Sequence, residues 1–172
     1  WDKLDPVCLR WLSDDQMRRW FEYLRQRRFS VRFIELMQTG DNRAYFERHH
    51  VRADSLEQSL QQAGWRLVPP AHDSGPAREY THADYAGRVG VIAPYSKDFC
   101  AGCNRLRVTA SGDLRLCLFG NTGIPLRPLL QSDDDRAALV ARLYGQLGIK
   151  QAGHGLHEGQ TGLTSNLATI GG

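Results

Sequence analysis

The 172-residue sequence predicts an α/β fold in two parts: a strand–helix–strand unit over residues 1–50, then a small α+β part over 51–172. Three observations predict it. Residues 31–37, VRFIELM, form a near-continuous apolar run, as a strand covered on both faces does. Ahead of it, Met17, Trp20, Phe21 and Leu24 recur at helical spacing. Beyond the Pro/Gly-bearing loop 69–77 the pattern changes to short strands.

The elements follow in order. Residues 2–9, DKLDPVCL, read as a short strand that Pro6 pushes toward a sheet edge. Ser13 and Gln16 make a capping-box pattern for the helix carrying Met17 to Leu24. Strand, helix and strand within about forty residues form a βαβ unit and imply parallel pairing. Nothing later in the sequence reads as a further βα unit, so the parallel partners are expected upstream of residue 1. A second helix runs over 54–64, with Asp54 and Glu57 as its box and Gly64 as its stop. Short strands are expected at 78–82, 88–93, 105–110 and 114–119, the last two joined by a turn at Ser111, Gly112 and Asp113. A helix over 134–147 should turn Leu139, Val140 and Leu143 inward, and residues 153–172 form a tail without period.

Composition excludes little. Hydrophobic residues make up 41% and charged residues 24%, with a net charge of +3, ordinary for a globular chain. No stretch reaches the roughly 18 apolar residues of a membrane span, and four cysteines are too few for a secreted disulfide scaffold. A reducing cytoplasm is the expected compartment. Lys3, Lys97 and Lys150 are the only lysines among 22 basic residues. Arg18, Arg19, Arg25, Arg27 and Arg28 read as the wet face and C-terminal end of a helix. No RNP-type aromatic motif points to nucleic acid.

The chemistry concentrates in C-x2-C-x13-C: Cys100, Cys103 and Cys117. Three thiolates suit an iron–sulfur cluster with one iron left open. They equally suit zinc, with His82, His154 or His157 as fourth ligand, or Glu158 from the same tail. In a regular hairpin about Gly112, Cys117 should fall opposite Arg107 or Val108, roughly 13 Å along the strand from Cys103. Asn104 to Val108 alternate, so Arg105 and Arg107 should share one face and Leu106 and Val108 the other. Two guanidiniums beside a metal make a focused anion site. Cys8 is alone and reads as a small core hydrophobe; His49 and His50 read as loop residues.

The run KDFCAGCNRLRVTASGDLRLCLFG (97–120), with RFIELMQTG (32–40), DYAGRVGVIAPY (84–95) and a Gly-Gly terminus, resembles the GTP 3',8-cyclases of molybdenum cofactor biosynthesis. These are radical S-adenosylmethionine (SAM) enzymes. The resemblance implies the C-terminal part of an incomplete (β/α)6 TIM-like barrel, followed by a small α+β domain whose antiparallel sheet carries a cluster. It implies that Cys100, Cys103 and Cys117 ligate a 4Fe–4S cluster whose open iron takes the guanine of GTP. Arg105, Leu106 and Arg107 match the GTP-contacting segment. DKLDPVCLRWLSDD (2–15) is similar to a family loop, VKxNxVxxxGxND, which aligns Lys3 with a lysine for the triphosphate, with Asp5 in place of Asn. Arg32 and Met37 match residues lining the SAM site, and Gly171 and Gly172 a tail that enters the active site.

The same resemblance implies a product, 3',8-cyclo-7,8-dihydro-GTP, handed to the next enzyme of the molybdopterin pathway, and leaves room for a homodimer. The family's C-x3-C-x2-C, which holds a second 4Fe–4S cluster and SAM, is absent from these residues. The expectation is therefore the substrate-binding part of an enzyme, inactive alone. The competing expectation is a zinc-binding interaction domain without catalysis.

Overall fold

A computed structural model of the chain describes residues 2–8, 10, 14–71, 74–101, 103, 105–120, 123–150, 153, 155–162, 164, 165 and 167. It divides into two compact units, Trp1–Met37 with Ala44–Phe99, and Gln38–Arg43 with Cys100–Gly172. Residue 50, the expected boundary, lies within the first.

The expected strand 2–9 is interrupted at Asp5 and Pro6. It leaves β1 (Asp2–Leu4) and β2 (Val7–Cys8), both parallel to β3 (Phe29–Glu35). Proline has no N–H for a ladder, but the Pro6 carbonyl still accepts from Ile34 N–H at 2.9 Å. Helix α1 (Asp14–Gln26) packs Met17, Trp20 and Phe21 against a core that includes Leu24. Its expected cap, Ser13, lies outside the described residues. Arg18 pairs with Asp15 on the exposed face, and the Arg25 and Arg27 guanidiniums lie over the Tyr85 and Tyr23 rings.

After β3 come helices α2 (Arg43–His49) and α3 (Ala53–Gln62), then β4 (Arg66–Leu67), β5 (Arg78–Thr81) and β6 (Arg88–Ile92). The sheet order is β1-β3-β6-β5-β4, with β2 also beside β3. β3 and β6 are parallel, Val31 opposite Val89, whereas β6, β5 and β4 are antiparallel. What the described residues establish is a mixed sheet; its antiparallel β4–β5–β6 edge is unlike the expected barrel, which they do not establish. A parallel partner for β3 does lie downstream, contrary to expectation. RVGVI is apolar on both faces as β3 is, with Val89, Gly90 and Val91 buried, the composition of a central strand.

Phe29, Val31 and Phe33 of β3, with Val89 and Val91, form the core together with Leu24, Leu60, Trp65 and Tyr80. The Asp54/Glu57 capping box does not form: α3 has no side-chain cap. Glu57 instead accepts two hydrogen bonds from Arg78, at 2.6 and 2.7 Å, and one from the Tyr80 hydroxyl at 3.0 Å. A two-pronged guanidinium pair outcompetes a single backbone N–H. Burial and this carboxylate push the Tyr80 phenol up to about 12.

The second unit is built on β7 (Arg107–Val108), β8 (Asp113–Arg115) and β9 (Ile124–Pro125), antiparallel in that order. The expected strands 105–110 and 114–119 are thus much shorter. β9, two residues ending in proline, carries too little pattern to be read from sequence. Gly112, at φ 85°, supplies the left-handed turn residue. Helix α4 (Arg136–Leu147) has no buried residue; Leu139 and Leu143 are half-buried and Val140 is 42% exposed, against the expected inward face. Leu114, Phe119, Leu126 and Leu156 are the buried apolar residues of this unit among those described. The Thr164 hydroxyl donates to Leu118 O at 2.6 Å, and Gly40 N–H donates to Thr164 O at 3.0 Å. No helix of the described residues is long and apolar enough to cross a membrane.

Candidate functional site

Strand pairing decides where the cysteines stand. Arg107 pairs with Arg115 and Val108 with Leu114; β8 ends at Arg115, and Cys117 lies in the bend beyond it rather than in the ladder. The observed register differs from the expected one by two or three residues, because the turn lies over 110–112 rather than 111–113, with Thr109 N–H donating to Asp113 O. Cys103 N–H donates to Cys100 O at 3.1 Å, closing the C-x2-C turn.

The alternation Arg105 to Val108 is present, but its exposure is reversed from that of a solvated arginine face. Leu106 and Val108 are 39% and 54% exposed, while Arg105 and Arg107 are half-buried. Burial and the Arg105 charge push the Arg107 guanidinium down, and the thiolates of Cys103 and Cys117 act against them. Two mutually repelling guanidiniums held partly out of water favour an anion between them. Burial raises the Cys103 thiol, but the Arg105 backbone N–H and the charges of Lys150 and Arg105 outweigh it, so the thiol lies below its usual range. Lys150 Nζ stands 3.5 Å from Cys103 Sγ.

None of the four cysteines is in a disulfide, and all are half-buried. Cations edge two of the thiols: Lys150 and Arg105 act on Cys103, and Arg107 feels both Cys103 and Cys117, a setting that favours thiolate. Among the described residues, however, no three of His, Cys, Asp and Glu are gathered tightly enough to hold a metal ion. Of the histidines weighed as a fourth ligand, His82 packs its ring against Trp65 and Tyr85 and accepts the Asp84 N–H at 3.1 Å. His154, the His157 side chain, Gly171 and Gly172 lie outside the described residues.

In the first unit, Lys3 is exposed on β1 opposite Ser30. The register sets Lys3, Asp5 and Arg32 on the sheet face away from Phe29, Val31 and Phe33. Asp5 takes both prongs of Arg32, and Arg32 lies over Gly90, where a Cβ would come within 2.7 Å of Arg32 Cγ. Met37 is half-buried just past β3. Cys8 packs against the core, as expected of a small hydrophobe, with its thiol raised by burial and by Glu35.

Sequence reasoning missed Glu35 altogether. It is fully buried at the end of β3, with His50 Nε2 at 2.9 Å and Arg52 Nε at 3.7 Å. His50, read as a loop residue, stacks on Phe46 at 4.3 Å. A carboxylate inside the apolar run IEL was the available signal.

Residues 29–156 match the family model Molybdenum Cofactor Synthesis C. The chain is 66% identical over 170 residues to a GTP 3',8-cyclase of Stenotrophomonas maltophilia, covering 99% of the chain and 52% of that relative. GTP 3',8-cyclases of Edwardsiella ictaluri and Haemophilus influenzae are 48% and 46% identical, with 99% of the chain covered and 52% and 50% of the relatives. The chain spans about half the length of the curated relatives it matches. It belongs to the Molybdenum Cofactor Synthesis C family.

Proposed function

We propose that this chain is the substrate-binding part of a GTP 3',8-cyclase, converting GTP to 3',8-cyclo-7,8-dihydro-GTP for the next enzyme of the molybdopterin pathway. The observation that carries the reading is the half-buried Arg105/Arg107 pair beside Cys103 and Cys117. Cys100, Cys103 and Cys117 hold a 4Fe–4S cluster, which supplies an open iron for the guanine base. Arg105 and Arg107 neutralise the substrate's anionic groups, and the Leu106 backbone lines the same segment. Lys3 addresses the triphosphate, Arg32 and Met37 line the SAM side, and Gly171 and Gly172 enter as the tail. Fixing base and phosphates together orients the ribose against the base, which is the protein's share of a cyclisation. A second cluster and SAM belong to a C-x3-C-x2-C that these residues lack, so the chain makes no product by itself.

Anaerobic preparation within the full length of its relatives, followed by metal analysis and GTP titration, tests this. Iron with sulfide is expected, and Arg105→Ala or Arg107→Ala should weaken GTP binding by about 10- to 100-fold, the worth of a charged hydrogen bond. Zinc without iron, or unchanged affinity in both variants, would refute the reading.

A further inference from the structure

We propose that Lys150 is a positioning residue of the cysteine site, clasping the two arms of the β7–β8 hairpin and setting the charge felt at Cys103. This rests on the reading of Cys100, Cys103 and Cys117 as cluster ligands.

Lys150 follows α4 and is held by that helix's last turn, its N–H donating to Leu147 O at 3.2 Å. Its Nζ donates to Arg105 O and Leu116 O, each at 2.8 Å, and lies 3.5 Å from Cys103 Sγ. Arg105 precedes β7 and Leu116 follows β8, so the two carbonyls are the open ends of the hairpin. An ammonium has three donors, and here each has a partner. In an arginine-rich chain with three lysines, this position has a reason for lysine. Three acceptors converging from different directions suit a compact point charge, and a planar fork cannot reach all of them. A cation and an N–H donor at a ligating sulfur raise the reduction potential of a cluster, since net charge and hydrogen bonds to sulfur help to set it. The clasp also carries Cys103 and the residue before Cys117 on one anchor, which favours retention of whatever the thiols bind.

The test is a potentiometric titration followed by electron paramagnetic resonance, on the chain within the full length of its relatives. The signal of a variant with Cys100, Cys103 and Cys117 all replaced by Ala is subtracted. Lys150→Met is expected to shift the C-terminal cluster to more negative potential by at least a tenfold change in its one-electron equilibrium, about 59 mV, and to lower its iron content. Lys150→Arg should recover most of the potential and little of the iron retention. Where Lys150→Met does not fold, Lys150→Gln, which keeps donors without charge, should show a negative shift of smaller size, from loss of the charge alone. A cluster of unshifted potential and full iron content in the uncharged variant would overturn this inference and leave the cluster reading standing. Zinc in the unmutated protein would overturn both.

Discussion

The two units of this chain are stable for different reasons. The sheet unit buries Leu24, Val31, Val89 and Val91 completely behind a seven-residue central strand, so apolar burial suffices to order it. The cysteine unit has strands of two or three residues and a helix with no buried residue. Among its described residues four apolar side chains are buried, and polar clasps join them: Lys150 across the hairpin ends and Thr164 onto Leu118 O. The second unit has less core and more polar contact than the first, and the difference shows where each unit is vulnerable.

The largest effect is expected in the sheet. Phe33→Ala removes a fully buried ring and should cost about 3–5 kcal/mol, read as a fall in the denaturation midpoint of the sheet unit. A loss below 1 kcal/mol would show that the core is not where its stability lies. Leu114→Ala, in the smaller core, should cost about 2–3 kcal/mol. Hydrogen exchange should show the loss among residues 105–126 while β3 and β6 stay protected; equal loss in both units would erase the contrast drawn here.

Glu35 offers a finer probe of the sheet unit. Burial raises its carboxyl above the ordinary range, while His50 and Arg52 pull it down. Because the folded-state value is the higher one, its contribution is fully present below the ordinary carboxylate range. It is lost as pH rises through the raised value. Glu35→Gln should abolish that loss, flattening stability against pH from acid toward neutral in denaturant titrations; an unchanged slope would contradict the burial argument. The smallest effect is expected on α4, where Val140→Ser should change stability by less than about 0.5 kcal/mol. A larger cost would mean that this face is covered.

How much of this was legible depended on the range of the contacts. The amphipathic face of α1, the apolar β3 and the hairpin turn at Gly112 were readable because their signals lie within one element. The pairing of β6 with β3 was not, since two stretches separated by some fifty residues carry nothing that names their partner. Glu57 shows the same limit: its spacing from Asp54 spells a cap, yet Arg78 and Tyr80 take its oxygens from another strand. At the site, the cysteine spacing and the arginine alternation were visible, but the register and the third cation were not.

The family-like cysteine and arginine segment, the parallel strand–helix–strand start and the existence of a hairpin can be read from the residues alone, because these depend on residue type and local period. Packing in three dimensions sets the pairing of Arg107 with Arg115, shelters Arg105 and Arg107 rather than Leu106 and Val108, and brings Lys150 across the hairpin ends. Those outcomes depend on which distant backbone groups meet. That is settled by packing, and no local pattern encodes it.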